Sequence, residues 1–177
     1  EWVNHGGRLV YLGGNGLNGP VDVLDEARVL HRNQMSDSLE SRMHVAYESE
    51  ANLLGVVFTE RGAMTSAPYE VVNASHWVFE GTGLSDGGQF GSRTLHQRCP
   101  NGASGHETDK RSQSTPPHAV LLARGLNPQD GGAEMIWYEL PGGGCVFSAG
   151  SITFAPSLLV DGACSQITAN VLRRVLA

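Results

Sequence analysis

The chain has 177 residues, with 18 Asp and Glu against 12 Lys and Arg, and a formal net charge of -6 at pH 7. At 40% hydrophobic and 17% charged residues it has the balance of a single globular domain, 1–177, and not of a disordered chain. No stripe of Lys and Arg marks a nucleic-acid face, and the longest apolar runs fall far short of the roughly 20 residues of a membrane span, so neither nucleic acid nor membrane is an expected partner.

The sequence opens at Glu1 without a basic-then-apolar leader and runs at once into an apolar segment, so it reads as the C-terminal part of a longer chain entering mid-fold. Arg8-Leu9-Val10-Tyr11-Leu12, bounded by glycines, predicts a buried strand, and Gly13-Gly14-Asn15-Gly16 forces a sharp turn after it. Val21, Val23, Val29 and His31 around Asp25-Glu26 predict a hairpin. Residues 36–52 combine a capping-box spacing, Asp37 with Glu40, and a helical face of Leu39, Met43, Ala46 and Tyr47, which predicts a helix despite the interruptions at His44, Glu48 and Glu50. Leu53 to Phe58 reads as a buried strand, and Tyr69 to Val72 as a strand at a sheet edge because Pro68 opens it.

Trp77-Val78-Phe79-Glu80 is a short apolar strand ending in an acid, and residues 81–118 form a long polar loop. The pattern then becomes regular, with strands over 119–123, 134–139 and 145–149 joined by turns at 126–132 and 141–144. Residues 161–176 predict the clearest helix. Asp161 is its N-cap, Cys164, Ile167, Thr168, Val171, Leu172 and Val175 form its apolar face, and Arg173 and Arg174 lie in its last turn. Cys99, Cys145 and Cys164 are scattered and form no Cys-x-x-Cys, which excludes a disulfide scaffold or zinc ribbon and makes a reducing, cytoplasmic setting the default. These elements give an α/β or α+β fold of short strands, Gly-rich loops and a C-terminal helix.

Three places can carry chemistry. The turn at 13–16 either presents backbone N–H groups to an anion or is a plain tight loop; no Lys-Ser/Thr follows, so it is not a phosphate loop. Glu80 is either a ligand or base whose apolar wall raises its pKa, with His76 on the same strand face, or a strand-end cap. His106-Glu107-Thr108-Asp109 either coordinates and moves protons or is a solvated loop in which Asp109 pairs with Lys110-Arg111. Cys145 reads as a core thiol, and Ser148 and Ser151 lack the spacing of a nucleophile elbow.

Gly6-Gly7-Arg8-Leu9-Val10-Tyr11-Leu12-Gly13-Gly14-Asn15-Gly16, Phe79-Glu80-Gly81 and Gly143 to Thr153, with Ile167 to Leu172 in the closing helix, together resemble blocks of the C-terminal domain of the N,N-dimethylformamidase large (beta) subunit. The resemblance implies an α/β, flavodoxin-like sandwich similar to class I glutamine amidotransferases, here without its first strands. Asn15 stands at the turn where those enzymes carry the nucleophilic Cys, so glutaminase chemistry is not implied. The family resembled uses a ferric ion, Fe(III), held by tyrosines and a glutamate; Glu80 matches the glutamate, while Leu17-Asn18 stand where the family has a tyrosine.

Two functions follow. The first is a domain of a metal-dependent hydrolase of a small amide C–N bond, with Glu80 on the metal and His106 and Glu107 moving protons. The second is a noncatalytic amidotransferase-like module for binding or assembly, joined to the upstream part of the same chain or to a second subunit. The open sheet edge left by missing strands predicts pairing with another copy, hence a homo-oligomer.

Overall fold

The three strands expected near the C-terminus form the middle of the main sheet. The computed structural model describes residues 1–17, 21–31 and 48–177. Among them the strands are β1 (Arg8–Tyr11), β2 (Val21–Asp25), β3 (Arg28–His31), β4 (Val57–Thr59), β5 (Ser66–Ala67), β6 (Tyr69–Val71), β7 (Gln89–Phe90), β8 (Ser104–Gly105), β9 (Thr108–Lys110), β10 (Val120–Gly125), β11 (Glu134–Glu139) and β12 (Cys145–Ser148). The helices are α1 (Ala51–Leu54) and α2 (Gly162–Leu176), with single 3-10 turns at Val3–His5, Trp77–Phe79 and Ala155–Ser157.

The main sheet runs β1-β12-β11-β10-β6-β7. Only β1 and β12 pair in parallel; its other pairs are antiparallel. The fold is thus mixed α/β with a mainly sheet core and a C-terminal helix. Period-two alternation divides the sheet's residues between two cores. Met135, Trp137, Cys145 and Phe147 face one side, where Ile167 and Val171 of α2 cover them. Ile136, Tyr138 and Val146 face the other, with Val3, Leu54 and Val56. Along β1, Val10 packs on the α2 side while Leu9 and Tyr11 pack on the opposite side.

Helix α2 forms as the sequence predicts: Asp161 accepts the Cys164 N–H on Oδ1 at 3.0 Å, and Cys164, Ile167, Thr168 and Val171 are buried. Leu172 departs from the expected face and is 42% exposed. The predicted hairpin is present as β2–β3, and all three cysteines are free and buried. No helix among the described residues is long and apolar enough to cross a membrane.

Several expectations change. Most of the helix expected over 36–52 lies outside the described residues; residues 48–50 are not helical, α1 starts only at Ala51, and Gly55 at φ 72° ends it in the left-handed region. The strand expected over 53–58 therefore begins only at Val57. Strand β6 is not an edge strand, because β10 and β7 pair on either side of it. Pro68 permits this by standing just before the strand, where no ladder N–H is required. Residues 77–79 form a 3-10 turn instead of a strand, with His76 as its N-cap accepting the Val78 N–H at 3.4 Å. His76 and Glu80 therefore do not share a strand face. The long loop over 81–118 contains β7, β8 and β9.

Candidate functional site

The carboxyl ends of parallel strands are where α/β sheets gather ligands. Here the loops leaving β1 and β12 meet at β9. The Asp109 N–H donates to the Gly150 carbonyl at 2.8 Å, and Thr108 bridges to Ser151. From the other side, the Tyr11 hydroxyl donates to Asp109 Oδ2 and the Asn15 N–H donates to Asp109 Oδ1, each at 2.8 Å. The Gly16 N–H closes the ring by donating to the Tyr11 oxygen at 2.8 Å.

The glycines of the turn make this arrangement attainable. A Cβ on Gly14 would lie 2.3 Å from the Glu107 carbonyl oxygen, and one on Gly16 would lie 2.6 Å from the Tyr11 ring. Between them Asn15 takes φ 52°, in the left-handed region that Asn tolerates better than most side chains.

Asp109 is 1% exposed. Burial pushes its carboxyl up to about 7; the Asn15 N–H and the Tyr11 hydroxyl pull it back down, and the charges of Glu50 and Glu107 raise it further. The Tyr11 phenol is pushed well above its ordinary value, first by burial and then by the charge of Asp109. Tyr11 therefore keeps its proton near neutral pH, and the pair titrates at Asp109.

Of the residues singled out from sequence, His106 and Glu107 lie at this end of the fold. They connect β8 to β9, and the Glu107 carbonyl accepts the Ile152 N–H at 3.3 Å, beside Gly14. His106 takes φ 65°, and its ring lies 4.9 Å from that of His96. Glu80 is elsewhere: its carbonyl accepts the Asn170 side-chain N–H at 2.8 Å, over the α2 face of the sheet. Glu80 shares a groove with Trp77, Gly81, Gln166, Asn170 and Arg173, and no hydrogen bond joins it to His106 or Glu107 among the described residues.

Tyr11 is the residue that sequence reasoning missed, and with it the contact to Asp109, which the sequence marks only as a member of the 106–109 cluster. One of the two readings open from sequence puts Asp109 in a solvated pair with Lys110-Arg111, but Lys110 Nζ reaches the Asp130 carbonyl and Arg111 Nε reaches Glu134, which leaves Asp109 turned inward. Reading 108–110 as a strand would have placed Lys110 and Asp109 on opposite faces.

The class defined here is a mixed α/β domain with a buried carboxyl–phenol pair at the carboxyl end of its one parallel strand pair among the described residues. A model of the family described as N,N-dimethylformamidase beta subunit-like, C-terminal, matches residues 1–167, and the chain belongs to that family. Among curated proteins none matches the chain.

The ferric ion implied by the resemblance asks for several hard oxygen donors. The groove at Glu80 adds no phenol and no second carboxylate to it, and it holds the Arg173 guanidinium, so the surroundings of Glu80 do not fit such a centre. Among the described residues no three His, Cys, Asp or Glu side chains are grouped to hold a metal ion.

Proposed function

We propose that this chain is the C-terminal domain of a hydrolase that cleaves a small amide C–N bond, with Asp109 as its proton carrier. Family membership supports the reaction class. The observation that carries the role of Asp109 is its buried carboxyl, pushed up to about 7 and clamped by the turn after β1. A group that titrates near the working pH can both take a proton from water and return one to a leaving amine. Tyr11 holds its own proton and orients the carboxyl. His106 and Glu107, at the mouth of the β8–β9 turn, are the further proton-moving candidates. Glu80 is assigned to a metal by the resemblance alone, and its surroundings, which among the described residues include the Arg173 guanidinium and no second carboxylate or phenol, speak against that role.

The substrate class is a small N-alkyl amide such as N,N-dimethylformamide, and the family's description as a subunit supports work within a larger assembly. The parallel β1–β12 pair followed by a tight turn supports an amidotransferase-like origin for this part of the sheet.

One observation favours a second reading, the noncatalytic module. Both Asp109 oxygens already accept hydrogen bonds from the chain, as in a structural latch. Amine release from N,N-dimethylformamide and short homologues by the full-length protein separates the two. Turnover that falls at least ~100-fold in Asp109→Asn while the fold survives supports the proton carrier. Turnover that is unaffected removes Asp109 from the chemistry, and the absence of turnover in folded protein favours the module. Glu80→Gln is the parallel test of the iron reading, which expects loss of both metal and turnover with the fold intact.

A further inference from the structure

The hairpin β2–β3 leaves large apolar side chains in water. Val23 and Val29 stand opposite each other on its ladder and are 74% and 54% exposed. Leu24 and Leu30 are exposed as well. The hairpin pairs with no further strand among the described residues. A two-stranded hairpin alone is marginal in water, and a third strand or an apolar surface is what stabilises one. Its charge is also one-sided. Residues 21–31 carry Asp22, Asp25 and Glu26 against one arginine, Arg28, which pairs with Asp25.

The opposite pattern lies along β4. A groove of about 480 Å³ runs beside this strand, with Val57, Phe58, Arg61, Lys110, Arg111 and Asp130 in its lining. Four cations around it share two carboxylates: Arg61 and Lys110 reach Asp130, and Arg111 and Arg124 reach Glu134. On a chain of net charge -6 this is a local excess of positive charge. Strand β4 pairs only with β9 among the described residues. Phe58 stands opposite Asp109, whose N–H turns away from β4 to the Gly150 carbonyl. Phe58 is therefore at a non-hydrogen-bonded position of the ladder, and its own N–H and C=O point to the open side. An edge of this kind accepts a further strand.

We propose that the acidic hairpin β2–β3 of one copy of this chain docks in the basic groove beside β4 of a second copy. The hairpin lays one of its edges along β4, so the Phe58 backbone gains partners. Val23 and Val29 leave water at the contact. Asp22, Asp25 and Glu26 come to face Arg61, Lys110 and Arg111. Charge complementarity singles out a second copy: a neutral or basic partner would cover the hairpin's apolar side chains but leave its carboxylates unmatched. Each copy carries both the arm and the groove, so reciprocal exchange closes about a two-fold axis as a dimer. The interface stands independently of the hydrolase reading, because association is read without turnover.

The test is sedimentation velocity of the folded protein over a range of protein and salt concentrations. The expected result is a monomer–dimer equilibrium that weakens at least ~10-fold from about 0.1 M to about 1 M NaCl, as the Debye length falls from about 10 Å to about 3 Å. Val23→Ser, Glu26→Arg and Arg61→Glu should each weaken the dimer by a similar factor. All three side chains are exposed, and circular dichroism melts check that the folds match. Glu26→Arg combined with Arg61→Glu in one chain should recover much of the lost affinity, which a damaged fold would not do. A wild-type protein that stays monomeric at its highest soluble concentration would overturn the proposal. A monomer that binds poly-L-glutamate would assign the groove to an acidic partner and overturn exchange between copies. A dimer unmoved by both Val23→Ser and Arg61→Glu would overturn it as well.

Discussion

Tyr11 and Asp109, from the first strand of the main sheet and a short strand near the middle of the chain, are joined by a 2.8 Å hydrogen bond from the phenol to the carboxyl. Asn15 completes the contact at the other carboxyl oxygen. One buried acid thereby ties the turn after β1 to β9, and its protonation state is set by the dryness of that contact.

A carboxyl raised from 3.8 to about 7 makes stability depend on pH. The folded state binds the proton more tightly than the unfolded chain, so Asp109's contribution is fully present below pH about 4 and is lost as pH rises through about 7. Three pKa units correspond to about 4 kcal/mol as an order of magnitude. Thermal melts at pH 5 and pH 8 should show the higher Tm at pH 5, and Asp109→Asn should flatten that difference. A wild-type Tm that climbs steadily from pH 5 to pH 8 would show that Asp109 does not dominate.

Tyr11→Phe removes the donor to Asp109 and the acceptor for the Gly16 N–H. Leaving buried polar groups without partners costs roughly 1–3 kcal/mol. Urea denaturation should show a loss of that size, together with a further rise in the pKa of Asp109, since the lost bond had lowered it. An unchanged midpoint would mean that water replaces the phenol at no cost.

Gly14→Ala places a Cβ against the backbone oxygen of Glu107, an atom that cannot swing aside like a side-chain end. The turn and the β8–β9 connection must separate, and a loss of about 1–3 kcal/mol is expected. Gly83, whose Cβ would meet nothing within 4 Å, controls for crowding, although its φ of 71° adds backbone strain of its own. Equal destabilisation at both positions would assign the effect to backbone conformation and not to the contact with Glu107.

On α2, Val171→Asp buries a charge in the core beneath the sheet and should prevent folding, while Leu172→Asp, at a 42% exposed position, should cost less than about 1 kcal/mol. Circular dichroism melts of the pair test the helix face directly. A cooperative melt of Val171→Asp near the wild-type temperature would refute it.

The regular half of the chain was readable because its signals are local. Strand alternation with Gly-rich turns located β10, β11 and β12, and Asp161 with its apolar spacing located α2. The departures arose where tertiary contacts decide. Trp77-Val78-Phe79 is apolar enough for a strand but follows a capping His76 into a 3-10 turn beneath α2. At the site, the sequence pointed to His106 and Glu107 and to the Gly-rich turn, which the fold places on the two sides of one contact. The link between them, Asp109 with Tyr11, was hidden because its inward direction depends on where Lys110 and Arg111 find their own partners.

The parallel pairing of β1 with β12 also orders events in time. The β10–β11–β12 meander joins neighbours in sequence and can form early, whereas β1 must close a loop spanning most of the chain before its first ladder bond. This predicts that β1 docks last and is released first. Amide exchange at Leu9 and Val10 should then proceed through a partial opening that leaves the meander protected and dismantles the Tyr11–Asp109 contact as one unit.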